Sequence, residues 1–155
     1  MENYKEIINI LVRDLDDKET MVKKLSEVNA DPALYEDFFF RTPDEHQDIT
    51  RLLMIDLLIE KGYALEIDWK ENYATAKEEI QEIAAKLGAS VVIENDEDLY
   101  DLEPEFFFVK VNAILEGKGY SIFDIDINSD SYVTILADSD LADTITSLDS
   151  GIKKY

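Results

Sequence analysis

Between Leu52 and Ile59 the chain reads Leu-Leu-Met-Ile-Asp-Leu-Leu-Ile, apolar on nearly every side of any helix it forms. A surface helix of a globular protein shows one apolar stripe, so this segment has to lie inside, covered all round. Thr42-Pro43-Asp44-Glu45 predicts its start, with an N-cap hydroxyl, Pro at the first helical position and Glu at the third; Gly62 predicts its end. The rest of the 155-residue chain must supply the cover. That length suits a single domain over residues 1–155, burying roughly two-thirds of the surface of the unfolded chain.

The candidate covering elements are legible from punctuation and spacing. Asn3-Tyr4-Lys5-Glu6 predicts a capping box for a helix running to about Leu15. A second helix, from Asp16 to the stop at Asp31-Pro32, carries Met21, Val22, Leu25 and Val28, and the two form an N-terminal helical hairpin. Leu34 to Arg41 fits either a short helix or a packed loop. Tyr63, Leu65, Ile67 and Trp69 alternate with polar or small residues as in a strand. Asn72 and Gly88 bound a helix, and Ala89 to Ile93 has the look of a buried strand, so strand, helix and strand together predict a parallel crossover.

Downstream, a helix is expected from about Pro104 to Glu116, then a strand from Tyr120 to Ile127. Asn128-Ser129-Asp130-Ser131 has turn chemistry, predicting an antiparallel hairpin with Tyr132 to Ala137. Asp138 or Ser139 caps a last helix, with Lys153 and Lys154 beyond its end. The expected fold is α/β or α+β: a small mixed sheet of about four strands, three parallel plus an antiparallel hairpin strand, packed with about six helices.

Charge narrows the function. With 36 acidic and 15 basic side chains the net charge is −21, which repels nucleic-acid phosphates and anionic lipids and attracts basic proteins. From residue 94 to 150 there are fifteen acids and two lysines. Absence of Cys excludes disulfides, thiolate zinc sites and Cys nucleophiles. No apolar run approaches the ~20 residues of a membrane span, and the first residues lack a secretory pattern, so a cytoplasmic location is expected.

The acids concentrate where the predicted strands end: Asp68 after the first, Glu94, Asp96, Glu97 and Asp98 after the second, with Asp101 in the same loop, and Asp126 and Asp130 after the third. In open α/β sheets ligands meet strand ends, so these eight are the candidate partner-binding residues. No glycine-rich turn offers amides to a phosphate. Asp124-Ile125-Asp126-Ile127-Asn128 resembles a haloacid-dehalogenase strand end, but Asn128 replaces the Thr or Val and too little chain follows to supply the later groups. Asp124, Asp126, Asn128 and Asp130 have calcium-loop spacing, but Ser129 and Ile135 stand where that loop needs Gly and Glu. Asp68-Trp69-Lys70 fits half of a metal-nuclease signature, and His46 has no nucleophile linked to it. No catalytic residue, metal ligand or cofactor is assigned. Phe38-Phe39-Phe40 and Phe106-Phe107-Phe108 are core candidates, with one ring of each triplet turned outward because three consecutive helical residues cannot share a face.

Gly119 to Val133, with its acidic turn Asn128-Ser129-Asp130-Ser131-Tyr132, resembles the terminal strand-turn-strand of an uncharacterised bacterial domain family. In size and acidity the chain is also similar to immunity proteins of bacterial toxin systems, a likeness that implies neutralisation of a basic toxin domain. The expected function is a non-enzymatic acidic binding protein. A divalent-metal hydrolase using the strand-end carboxylates, or an acidic housekeeping domain without a dedicated basic partner, are the alternatives.

Overall fold

The structure, a computed structural model, describes residues 1–39, 43 and 47–155. Its helices are α1 (Glu2–Leu11), α2 (Leu15–Ala30), α3 (Ile49–Glu60), α4 (Tyr73–Lys86), α5 (Pro104–Glu116) and α6 (Ala142–Leu148); its strands are β1 (Ala64–Asp68), β2 (Tyr120–Ile125), β3 (Ser131–Asp138) and β4 (Ile152–Lys154). The sheet order is β1-β3-β2-β4 and each neighbouring pair is antiparallel. The α+β class is as expected, whereas the three parallel strands are not found.

Ala89 to Ile93 explains the difference. Ala89, Val91 and Ile93 are buried and the residues between them exposed, the alternation of a half-buried strand, but the segment joins no ladder. Two of its backbone N–H groups find local acceptors, that of Ala89 on the Ala84 carbonyl and that of Ile93 on the Gln81 side-chain oxygen at 2.7 Å. At Ile93 a side-chain amide takes the N–H that a neighbouring strand would otherwise accept. With no second strand there, β1 pairs with β3 instead, Asp68 opposite Ser131. Beyond α6, Lys153 and Lys154 do not act as helix-end cations: they lie in β4, which pairs with β2 through Ile125 and Ile152.

The helical hairpin forms with shifted boundaries. Asp14 caps α2 by accepting from the Asp17 N–H at 2.9 Å, so α1 has already ended at Leu11. Asn3 is inside α1, and its amide reaches the Leu148 carbonyl rather than forming a capping box. Asp48 caps α3 through the Arg51 N–H, so that helix starts at Ile49; apart from Pro43, the expected start signal lies outside the described residues, as do His46 and Phe40. Asn72 caps α4 as predicted, and Gly62, Gly88 and Gly119 take the left-handed conformations their helix ends require.

Two apolar clusters hold the sheet between helical layers. One face, with Phe123, Ile125, Val133 and Ile135, packs on α1, α2, α3 and α6. The other, with Leu65, Ile67, Ile122 and Leu136, packs on α4 and α5. Central α3 buries everything from Thr50 to Leu58 except Arg51. In α5, Phe107 and Phe108 are fully buried while Phe106 is 54% exposed, the outward ring expected of a triplet. Among the described residues no helix is long and apolar enough to cross a membrane.

Candidate functional site

β1 and β2 flank β3 and both run antiparallel to it, so their C-terminal ends emerge at the same end of the sheet. Asp68 ends β1 next to Ser131, with Asp130 immediately before it, and Asp126 follows β2 on the other side of β3. At ~4.8 Å per strand, Asp126 stands roughly two spacings from Asp68. The segment after α4 returns to this end: the Tyr73 hydroxyl donates to the Glu94 carbonyl at 3.0 Å, and the Tyr73 ring packs edge-on against Tyr100, 5.8 Å between centroids. Asp96 starts the turn Glu97–Leu99, accepting from the Asp98 N–H, and Leu99 is buried beneath it. Asp68, Glu94, Asp96, Glu97, Asp98, Asp101, Asp126 and Asp130 are all exposed.

Sequence reasoning missed the centre of this face. Alternation places Trp69 on the apolar side of a strand, but β1 stops at Asp68 and Trp69 is 45% exposed. Its ring borders two grooves. A larger one of about 470 Å³ lies between Trp69 and the 129–132 turn, including Asp130 and Tyr132; a smaller one of about 290 Å³ runs between Trp69, Glu71, Tyr100 and Asp101. The Lys70 ammonium sits 4.5 Å from the Trp69 ring centroid. An exposed Trp flanked by acids was the only available signal, and the strand pattern masked it.

The carboxylates act on the phenols among them. Burial, helped by the charge of Asp96, raises the Tyr73 pKa; burial, helped by Glu105, Glu103 and Asp124, raises that of Tyr132. Both hydroxyls therefore stay protonated at neutral pH, and the field at this end of the sheet favours positive charge.

Arg51 positions one part of the face, and its role was not visible in the sequence. Its Nε meets Asp149 at 2.5 Å and its Nη1 donates to the Asp126 carbonyl at 2.9 Å. Gly151 makes room for the guanidinium, because a Cβ there would come within 2.5 Å of Nη2. The Asp126 turn is thus tied to α3.

The metal-like spacings do not converge. The Asp126 carboxylate accepts from the Asn128 N–H at 2.9 Å and the Ser129 hydroxyl from the Ser131 N–H at 3.1 Å, so these side chains shape the turn. Asp124 is half-buried in β2, opposite Thr134 on one side and Lys153 on the other. Among the described residues no group of three or more acidic or imidazole side chains is placed to hold a metal ion.

Asp124 has a measurable consequence of its own. Burial first, then the Asp126 charge, raise its pKa above the ordinary 3.8. A carboxyl with a raised folded pKa adds stability below its unfolded pKa and loses it as pH rises through the folded value, so at pH 7 the ionised group is a burden. Asp124→Asn is expected to raise the thermal midpoint at pH 7 by about 2 °C or more, with the gain shrinking towards pH 3. A gain that persists unchanged at pH 3, or none at pH 7, contradicts this account.

These observations define an acidic α+β domain with a four-stranded antiparallel sheet between helical layers and an open carboxylate face around a tryptophan at one end of that sheet. Over residues 3–153 the chain matches the family described as Domain of unknown function (DUF6630), and it belongs to that family. The resemblance to an uncharacterised domain family is borne out. No curated protein and no solved structure matches the chain.

Proposed function

We propose that the protein is a non-enzymatic binding protein that captures a basic protein, in its most concrete form an immunity protein that masks a cationic toxin domain. One observation carries this reading: the carboxylates that end β1 and β2 and fill the 94–101 segment are all exposed, and they lie at one end of the sheet. The total accessible surface is 8313 Å² for a net charge of −21, so an evenly charged footprint of ~800 Å² would carry about two negative charges. This face carries several more. Such a concentration steers a cationic partner and raises its association rate, while aromatic contacts set how long it stays.

The test compares two charge-neutralised variants at equal net charge. One combines Asp68→Asn, Asp96→Asn, Asp98→Asn and Asp130→Asn; the other changes Glu19, Glu36, Asp140 and Asp143, exposed residues of α2, the turn after it, the segment after β3, and α6, to their amides. At ~0.15 M salt the parent and the second variant should hold a partner of pI above about 9 in one-to-one ratio, with the first variant weaker by about 30-fold or more. Equal losses in both variants would reduce the effect to bulk charge and refute the reading. So would failure of the parent to retain any basic protein.

A further inference from the structure

Trp69 is the only tryptophan in the chain, and it stands nearly half exposed inside the acidic face rather than in either apolar cluster. Interface anchors are enriched in this residue type, and this one borders two grooves, so it is placed to be covered by a partner. The surroundings specify what that is. Asp130 lies along one groove beside the ring and Glu71 and Asp101 along the other, so an apolar occupant would bring no charge to meet them. The ring already carries a cation, Lys70, which borders only the smaller groove. The larger groove, about 470 Å³, has the Trp69 wall, the Asp130 carboxylate and the Tyr132 phenol, with no cationic residue lining it among the described residues.

We infer that the larger groove receives an arginine side chain of the basic partner, its guanidinium stacked on Trp69 and paired with Asp130. This rests on the proposed function and names how its partner is held. Arginine fits better than lysine because its planar, weakly hydrated guanidinium stacks on an indole and engages a carboxylate through two N–H groups at once. Lys70 is a competitor for the same ring, so its ammonium weakens the site for an incoming cation.

The probes are hexa-arginine and hexa-lysine peptides, titrated by calorimetry and by the intrinsic emission of Trp69, which reports this one place in the molecule. Hexa-arginine should change the emission saturably and bind more tightly than hexa-lysine. Trp69→Ala should weaken hexa-arginine by about 5- to 30-fold, Trp69→Phe by less, and Lys70→Ala should tighten it by about 3-fold. Because Trp69 is exposed, loss of fold is not expected in these variants; unchanged urea midpoints verify that. Binding heat with no emission change, or equal affinity in Trp69→Ala, overturns the arginine anchor and leaves the acidic-face reading standing. Absence of binding heat with either peptide at low salt overturns both.

Discussion

Phe108→Ala is expected to destabilise the protein by about 3–5 kcal/mol in urea unfolding, whereas Phe106→Ala, two positions away on the same helix, shifts it by less than about 0.5 kcal/mol. The Phe108 ring is fully buried, 4.8 Å from the Phe107 centroid, 5.0 Å from that of Tyr155 and 6.4 Å from that of Tyr132. It therefore ties α5 to β3 and to the residue after β4 at once, and its removal leaves a cavity lined by rings that cannot all move in. Phe106 has water over more than half its surface and leaves no cavity. Against a total stability of ~5–15 kcal/mol, loss of the Phe108 ring removes a large share and lowers the thermal midpoint by about 6 °C or more. Near-equal effects at the two positions would mean that α5 is rotated from its described orientation.

Those two phenylalanines also show what spacing in a sequence reveals. Period and composition placed the helix, and the geometry of a helix required that one of three adjacent rings face out, but which one depends on the sheet beneath. The same limit produced the parallel-strand expectation. Ala89, Val91 and Ile93 carry the burial pattern of a strand faithfully, because that pattern records contact with α4 and α5 and says nothing about backbone partners. The ladder partner is a tertiary fact, and here the Ile93 N–H goes to the Gln81 side chain. Ile152-Lys153-Lys154 is too short to announce a strand and becomes one because Asp149 and Gly151 turn it back along β2, with the Asp126 N–H donating to the Gly151 carbonyl.

The acidic face was more legible than the fold that presents it. Carboxylates without a buried partner remain in water whatever the topology, so exposure followed from composition alone. Their convergence had a different cause from the one expected: β1 and β2 point the same way because each pairs antiparallel with the intervening β3. Two helix-Gly-Tyr-strand entries, at Gly62-Tyr63 and Gly119-Tyr120, set that common direction, and α3 and α5 then pack on opposite faces of the sheet. Trp69 escaped notice because alternation extends naturally one residue past the place where the Asp68 carboxylate takes the Lys70 N–H and turns the chain.

Tyr35→Phe is expected to cost about 3 kcal/mol, a large effect for the loss of one oxygen, because of what it does to Asp56. Asp56 interrupts the apolar girth of α3 and is only 6% exposed; the Tyr35 hydroxyl, on a residue 1% exposed, donates to its carboxylate at 2.5 Å. Removing that donor takes a short hydrogen bond from a buried carboxylate in a place where water cannot replace it. The carboxylate that the first change leaves short of a donor is itself removed by the second, so Tyr35→Phe with Asp56→Leu should cost less than the sum of the two single changes by about 1 kcal/mol or more. Additive losses in the double variant would show that the two side chains do not act as a pair. The pair has a second consequence. A helix apolar on all sides can rotate within its surroundings at little cost, and a satisfied polar contact favours one rotation. The double variant, measured below its own unfolding midpoint, should therefore lose dispersion in the methyl resonances of α3, which distinguishes a contact that fixes the register of the central helix from one that only adds stability.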